Sequence, residues 1–350
     1  MKIINSDIYD NTNWIWYLKG CAILGIVLFH WFSYYLSETC VFAVNFGGQG
    51  VHVFIILSAF GIYLSYEKSH PKWGIWCRKR FFKIILPYYS SILLVVFSIL
   101  IFGVVSGNVG RYLGMSGLSI GSLVASVLLY RAFIDKYVLI INSPWWFIVT
   151  ILELYLIFPL LYRCFKKYGW MIILGSLVIT VGYEVYYAVI LMSDSVVYSK
   201  FFLAFLFEYT SGIILADIYI NRIAVFKKIT IGLVPFMFGL LMEMIGIILA
   251  FHGPKGRAFN DVFNSVGYFL ILINIVNYLC KYKIITRSFY WLGRYSLSIF
   301  LVHAPYIYLI YNNYRNGGIK SSLVYLPGYL IVVGSISYIF QKCLSKYSNV

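Results

Sequence analysis

The chain reads as an all-α, polytopic integral membrane protein of about ten transmembrane helices, with both termini cytoplasmic and residues 1–350 forming one transmembrane domain. Three observations predict this. Hydrophobic residues make up 61% and charged residues 11% of the chain, far from the balance of a soluble domain of this length. The apolar residues gather into runs of about 20, the length a helix needs to cross ~30 Å of hydrocarbon. The cations are also uneven, with twenty of the 28 lysines and arginines on one side of the predicted topology and eight on the other. A formal charge of +16 does not point to nucleic acid, because the cations lie scattered between apolar spans rather than on one soluble face. The cysteines Cys21, Cys40, Cys77, Cys164, Cys280 and Cys343 show no metal-ligand spacing, and most fall in spans or on the side assigned to the cytoplasm. Neither disulfides nor a bound metal is expected.

The first span, Trp14 to Leu36, carries Lys19 and His30 and lacks a small-residue cleavage site, so it is read as retained. Eleven residues at about 100° each bring Lys19 and His30 onto one helix face, roughly 16 Å apart along the axis. A charge in mid-membrane costs several kcal/mol unless it faces protein or water, so this face is expected to line a cavity. Phe46 to Tyr66 is the second span, opened by Gly47-Gly-Gln-Gly50 and containing His52. Glu67 to Lys83 reads as a polar connection holding Lys68, Lys72, Arg78, Lys79, Arg80 and Lys83, and the third span runs from about Phe81 to Val105. A Gly/Ser-rich stretch, Ser106 to Gly121, leads into an apolar piece, Ser119 to Phe133. That piece is short for a span and would reverse every later loop if counted as one. Further spans are expected at Trp145 to Tyr162, Trp170 to Met192, Phe201 to Tyr219, Ile229 to Phe251, Val262 to Leu279, Phe289 to Tyr311 and Leu323 to Phe340.

Several segments recur in a known order. They are Lys19-x10-His30; Gly50-Val-His-Val-Phe-Ile-Ile-Leu-Ser-Ala-Phe-Gly61; Arg78-Lys-Arg-Phe-Phe-Lys-Ile-Ile-Leu-Pro-Tyr-Tyr89; Trp145-Trp-Phe-Ile-Val-Thr-Ile-Leu-Glu-Leu-Tyr-Leu-Ile-Phe-Pro159; Phe207-Glu-Tyr-Thr-Ser-Gly212; and Leu292-Gly-Arg-Tyr-Ser-Leu-Ser-Ile-Phe-Leu-Val-His-Ala-Pro305. Together they resemble the membrane acyltransferase-3 family over nearly the whole chain. The resemblance implies transfer of an acyl group, most often acetyl, from cytoplasmic acyl-CoA to a hydroxyl of a surface polysaccharide such as a capsule, or of its lipid-linked precursor, at a bacterial inner membrane. Under it, Lys19 and His30 match the family's basic-x10-His pattern, with the histidine catalytic. Arg80 and Lys83 fall where the family has a paired-arginine element, the lysine being a departure. Ser58-Ala59-Phe60 stands where Ser-Gly-Phe is usual, and His52 where an aspartate is common. Glu153, Tyr155 and Pro159 match the fourth-span motif, and His303 and Pro305 the ninth.

The chemistry of the residues runs beside this. Acetyl-CoA is polyanionic at its nucleotide end and suits Lys19, Lys72, Arg78, Lys79, Arg80 and Lys83 at the bilayer surface. Histidine titrates near neutrality, so His30 fits a base for the attacking hydroxyl or a carrier of the acyl group. Glu153 is the first candidate for a supporting carboxylate and Glu208 the second. Trp145, Trp146, Tyr155 and His303 are placed with the carbohydrate acceptor. Plainer readings stand against each: Lys19 snorkelling, Trp145 and Trp146 as interface anchors, the cations as a topology marker, and His52, Glu184 and Glu243 as structural. The rival function is a transporter of lipid-linked sugar with His30 and Glu153 as a proton relay. Partners are membrane lipids and the carbohydrate, with no nucleic acid. A homo-oligomer is compatible with the sequence and is not fixed by it.

Overall fold

The computed structural model describes residues 12–33, 47–193, 195–314 and 318–345, without the side chains of 253–255, 257–258, 308–314 and 318–321. Every regular element in it is helical. In order these are α1 Asn13–Ser33, α2 Gly50–Ser69, α3 Trp73–Val105, α4 Val109–Ser116, α5 Ile120–Val127, α6 Asp135–Val138, α7 Trp146–Tyr168, α8 Ile172–Val185 and α9 Val196–Lys200. They continue as α10 Leu206–Asn221, α11 Ile223–Thr230, α12 Leu233–Phe251, α13 Gly253–Leu279, α14 Lys283–Arg294, α15 Ser296–Tyr314 and α16 Gly318–Ser345. Eight stretches of the described residues are long and apolar enough to cross a membrane. One of them, Ser143–Ile190, contains both α7 and α8, which break at Gly169 with φ +61°.

Several boundaries differ from the sequence expectation for identifiable reasons. The polar connection after the second span shrinks to residues 70–72, because lysine and arginine are good helix formers. Arg78, Lys79, Arg80 and Lys83 therefore ride on the first turns of α3, a helix of 33 residues with Pro87 inside it. The apolar run expected from Phe289 divides at Tyr295 into a charged, amphipathic α14 and the apolar α15. α12 starts at Leu233 rather than Ile229 because Gly232 adopts φ +120°, open to glycine alone without strain. Ser119 to Phe133 forms the eight-residue α5 and a 3-10 turn, too short to span. Cys40 and the Tyr34–Leu36 end of the first span lie outside the described residues.

The helices form two compact units. The first comprises Met1–Ala22, Gln49–Cys77 and Ile151–Arg294. Within it α2 and α10 approach closely enough that a Cβ on Gly212 would collide with the Ile56 carbonyl oxygen, the small-residue contact that brings helices together where water cannot drive them. α12 and α13 do the same through Gly239 and Gly267. At one end of this unit Tyr162 donates to Glu67 (2.9 Å), Lys166 pairs with Glu67 (2.5 Å), and Tyr63 donates to Asp217 (2.7 Å), tying α2, α7 and α10.

The second unit comprises Ile23–Gly48, Arg78–Thr150 and Tyr295–Val350. Arg131, fully buried, donates to the carbonyls of Val138 (2.8 Å), Ile140 (2.7 Å) and Asn142 (3.2 Å), which ties the turn after α5 to the chain around α6. Pro305 inside α15 has no N–H, so the carbonyl four residues earlier, Leu301, loses its helical partner. Asn142 Nδ2 (2.7 Å) and Trp145 Nε1 (2.9 Å) both donate to that oxygen.

Candidate active site

In the second unit the ring of His30 on α1 packs against that of His303 on α15, with centroids 5.1 Å apart and planes at 47°. Phe29 and Phe300 flank the pair, at 4.9 Å from His30 and 5.9 Å from His303. His303 is fully buried, and its Nδ1 lies 2.9 Å from the Phe300 carbonyl and 3.1 Å from that of Ile299. A carbonyl only accepts, so Nδ1 carries the proton and Nε2 presents a lone pair. Among the described residues that Nε2 has no hydrogen-bond partner. The proline-broken turn of α15 thus holds a neutral imidazole whose free nitrogen is an acceptor. Tyr329 donates to the His303 carbonyl at 3.0 Å, and Trp31, stacked on Tyr329 at 4.4 Å, donates to Ser322 O, which fixes α15 to α16 around the pair.

Trp145 is wholly buried, seated between Tyr88 (5.3 Å) and the Arg131 guanidinium (5.4 Å), and its indole N–H is taken by Leu301 O. Trp146 is half-buried beside it and meets Phe147 edge-on. On α3, Arg78, Lys79 and Lys83 are exposed and Arg80 half-buried, with Arg78 over the Phe82 ring at 5.8 Å. Arg80 and Lys83 are three residues apart and share a helix face.

In the first unit Lys19 is half-buried, its ammonium 5.4 Å from the Trp16 ring centre. Tyr155 is half-buried on α7. Glu153, also on α7, accepts from Phe202 N at 3.3 Å and so caps the turn that leads into α10. The carboxylate held against an imidazole in this unit is the second candidate, Glu208, whose Oε1 takes the Nδ1–H of His52 at 2.7 Å. His52 Nε2 lies 3.6 Å from Asp261 Oδ1. Glu184 is within electrostatic reach of Asp261 and Glu208, and Glu243 of His52 and Asp261. Lys200, just before α10, is the cation of the group. Burial holds its ammonium below the ordinary lysine pKa, and Asp261 and Glu208 pull it back up. The sequence reading missed this gathering, and Asp261 altogether, since its members come from separate helices. The one signal was the presence of carboxylates inside apolar spans at all. Among the described residues no group of three or more His, Cys, Asp or Glu is arranged to hold a metal ion.

The sequence model of the acyltransferase-3 family, described as an acyltransferase domain, matches residues 12–342. No curated protein and no solved structure matches the chain.

Proposed function

Because the chain belongs to the membrane acyltransferase-3 family and is a multi-pass membrane acyltransferase, we propose that it carries an acetyl group from cytoplasmic acetyl-CoA to a carbohydrate hydroxyl presented on the far side of a bacterial inner membrane. The observation that supports this most is the His30–His303 pair, two adjoining imidazoles on α1 and α15. In this reading His30 takes the proton of the attacking hydroxyl while that oxygen bonds to the thioester carbonyl carbon. The C–S bond breaks, the ester forms, and the proton passes to the departing thiolate as CoA–SH. His303, whose Nδ1–H is spent on its own helix, offers Nε2 to His30 or to the hydroxyl and keeps it oriented.

The exposed cations at the start of α3 take the phosphates of the donor. Arg80 and Lys83, on one face, form the core of that grip. Glu153 is the carboxylate proposed to support the base and Trp146 and Tyr155 the residues proposed for the acceptor, whereas Trp145, wholly buried with its indole N–H on Leu301 O, is structural. The single family match runs through both units. Ten spans and two cytoplasmic termini complete the reading.

Radiolabelled acetyl-CoA offered to purified protein in lipid nanodiscs tests it. The wild type is expected to release or transfer label, and His30→Ala to lose at least ~100-fold in rate, the scale of a lost general base, while keeping its melting temperature. Retained turnover in His30→Ala excludes the role of His30. No turnover in the wild type excludes acetyl-CoA as donor.

A further inference from the structure

Two short helices of the first unit, α11 and α14, rest their inner faces on the first turns of α1 and turn a mixed surface outward. On α11, Phe226 is wholly buried and meets Trp14 at 5.5 Å, while Val225, Lys228 and Ile229 are exposed. On α14, Phe289 and Gly293 are buried, the first with its backbone against Gly20 and the second against the backbone of Trp16. Both helices therefore stand at one end of the unit. Neither carries an acidic residue.

The outward surface of α14 is ordered. At about 100° per residue, Lys283, Arg287 and Arg294 fall within about 40° of one another, a stripe roughly 16 Å long. All three are exposed. Ile284 and Trp291 lie about 70° further round, beside the stripe and away from the Phe289–Gly293 side. Ile284 is 81% exposed and Trp291 half-buried. The helix thus has one side on α1, one cationic side, and one apolar side left open. Aromatic rings accompany the cations: Arg294 lies over Tyr290 at 5.9 Å, and Lys281, just before the helix, over the exposed Tyr278 at 4.3 Å.

Two surroundings fail for such a surface. Water would leave Ile284, Val225 and Ile229 wet on an outward face, and hydrocarbon would strand Lys283, Arg287 and Lys228 without counter-charge. The headgroup level satisfies both, with the apolar strip dipped toward the acyl tails, the cations level with the phosphates, and the tyrosines where interfacial rings gather. The cations of both helices fall on the side that the charge asymmetry of the chain assigns to the cytoplasm, where the leaflet supplies anionic headgroups.

We propose that the Lys283–Arg287–Arg294 stripe of α14, with Lys228 of α11, is a binding surface for anionic phospholipid headgroups, and that the bound lipid clamps the two helices onto the start of α1. The surface stands independently of the acetyl-transfer reading, since no step of that reaction uses these residues.

Full-length protein in detergent is offered equal amounts of dioleoyl phosphatidylglycerol and dioleoyl phosphatidylcholine, and native mass spectrometry counts the lipid retained. The wild type is expected to keep phosphatidylglycerol in preference. Lys283→Gln and Arg287→Gln are each expected to weaken that retention about fivefold, the scale of one cation at an anionic surface, and the pair more than tenfold. Lys136→Gln, at an exposed cation of the second unit, is expected to leave it unchanged. In nanodiscs, adding phosphatidylglycerol to phosphatidylcholine is expected to raise the melting temperature of the wild type more than that of the paired variant.

A wild type that holds the two lipids equally, or a paired variant that keeps phosphatidylglycerol as the wild type does, overturns the surface. A loss in Lys136→Gln as large as the losses at α14 also overturns it, because net charge alone would then explain retention. Displacement of the lipid by an equimolar amount of acetyl-CoA or inorganic phosphate assigns the stripe to a soluble phosphate instead. A melting temperature indifferent to phosphatidylglycerol removes the clamp.

Discussion

At the scale of single residues, orphaned atoms carry the information. His303 Nε2 is legible only once the carbonyls of Ile299 and Phe300 are seen to occupy Nδ1, and no spacing in the sequence shows that. Pro305 explains Trp145: removing one N–H frees one carbonyl, and the indole fills it, an accounting of backbone polar groups rather than an interfacial anchor. The cations follow a different logic, since surface charges act at long range and through salt. The double variant Arg80→Ala/Lys83→Ala is expected to raise the KM for acetyl-CoA about tenfold, more in low salt than in high, with the acceptor KM little changed. Steady-state kinetics at two ionic strengths checks this, and a KM for acetyl-CoA that stays put rejects the grip.

At the scale of elements, α14 shows what lengths alone hide. Its residues were expected to open a span, yet Lys283, Arg287 and Arg294 make it amphipathic, and it packs across the start of α1 through two glycines. A Cβ on Gly20 would strike the Phe289 carbonyl oxygen, and one on Gly293 that of Trp16. Tyr17 and Tyr290 meet at 6.1 Å beside them. The helix that carries Lys19 is therefore seated at its start on the amphipathic α14. Gly293→Ala is expected to force backbone from backbone and lower the melting temperature by several degrees, and Gly20→Ala to do the same; a melting curve in detergent that matches the wild type would refute the contact.

The same scale shows how much was legible. Apolar run length located the spans, because the hydrocarbon thickness sets it directly. Ends were misplaced where a local rule outweighed hydropathy: the φ of Gly232, the helix propensity of Arg78–Lys83, and the break at Tyr295. The Lys19-x10-His30 spacing needed only one helix, so it could be read. His30 with His303, and His52 with Glu208 and Asp261, are set by tertiary packing between helices far apart in the chain.

At the scale of the whole molecule, orientation is the outstanding quantity, and charge asymmetry argues it. Cys343 is exposed near the end of α16, while Cys280 is buried. Burial pushes the Cys280 thiol up to about 11, so it stays protonated and unreactive at neutral pH. A membrane-impermeant maleimide is therefore expected to label Cys343 in inside-out vesicles and not in intact cells. Labelling of Cys343 from the outside would invert the topology and, with it, the side from which donor and acceptor arrive.

α3 sets a limit on where the protein can work. Its 33 residues measure about 50 Å, while the oily slab it crosses is about 30 Å thick, so some 20 Å must either lean or stand clear. Pro87 sits about 21 Å along from Trp73 and deprives Lys83 O of its helical partner, so the rod can bend where the surplus ends. The basic turns then behave as a jib hinged at the water line. A cell that shortens its lipid tails would raise that jib, and one that lengthens them would draw its cargo hook down toward the headgroups.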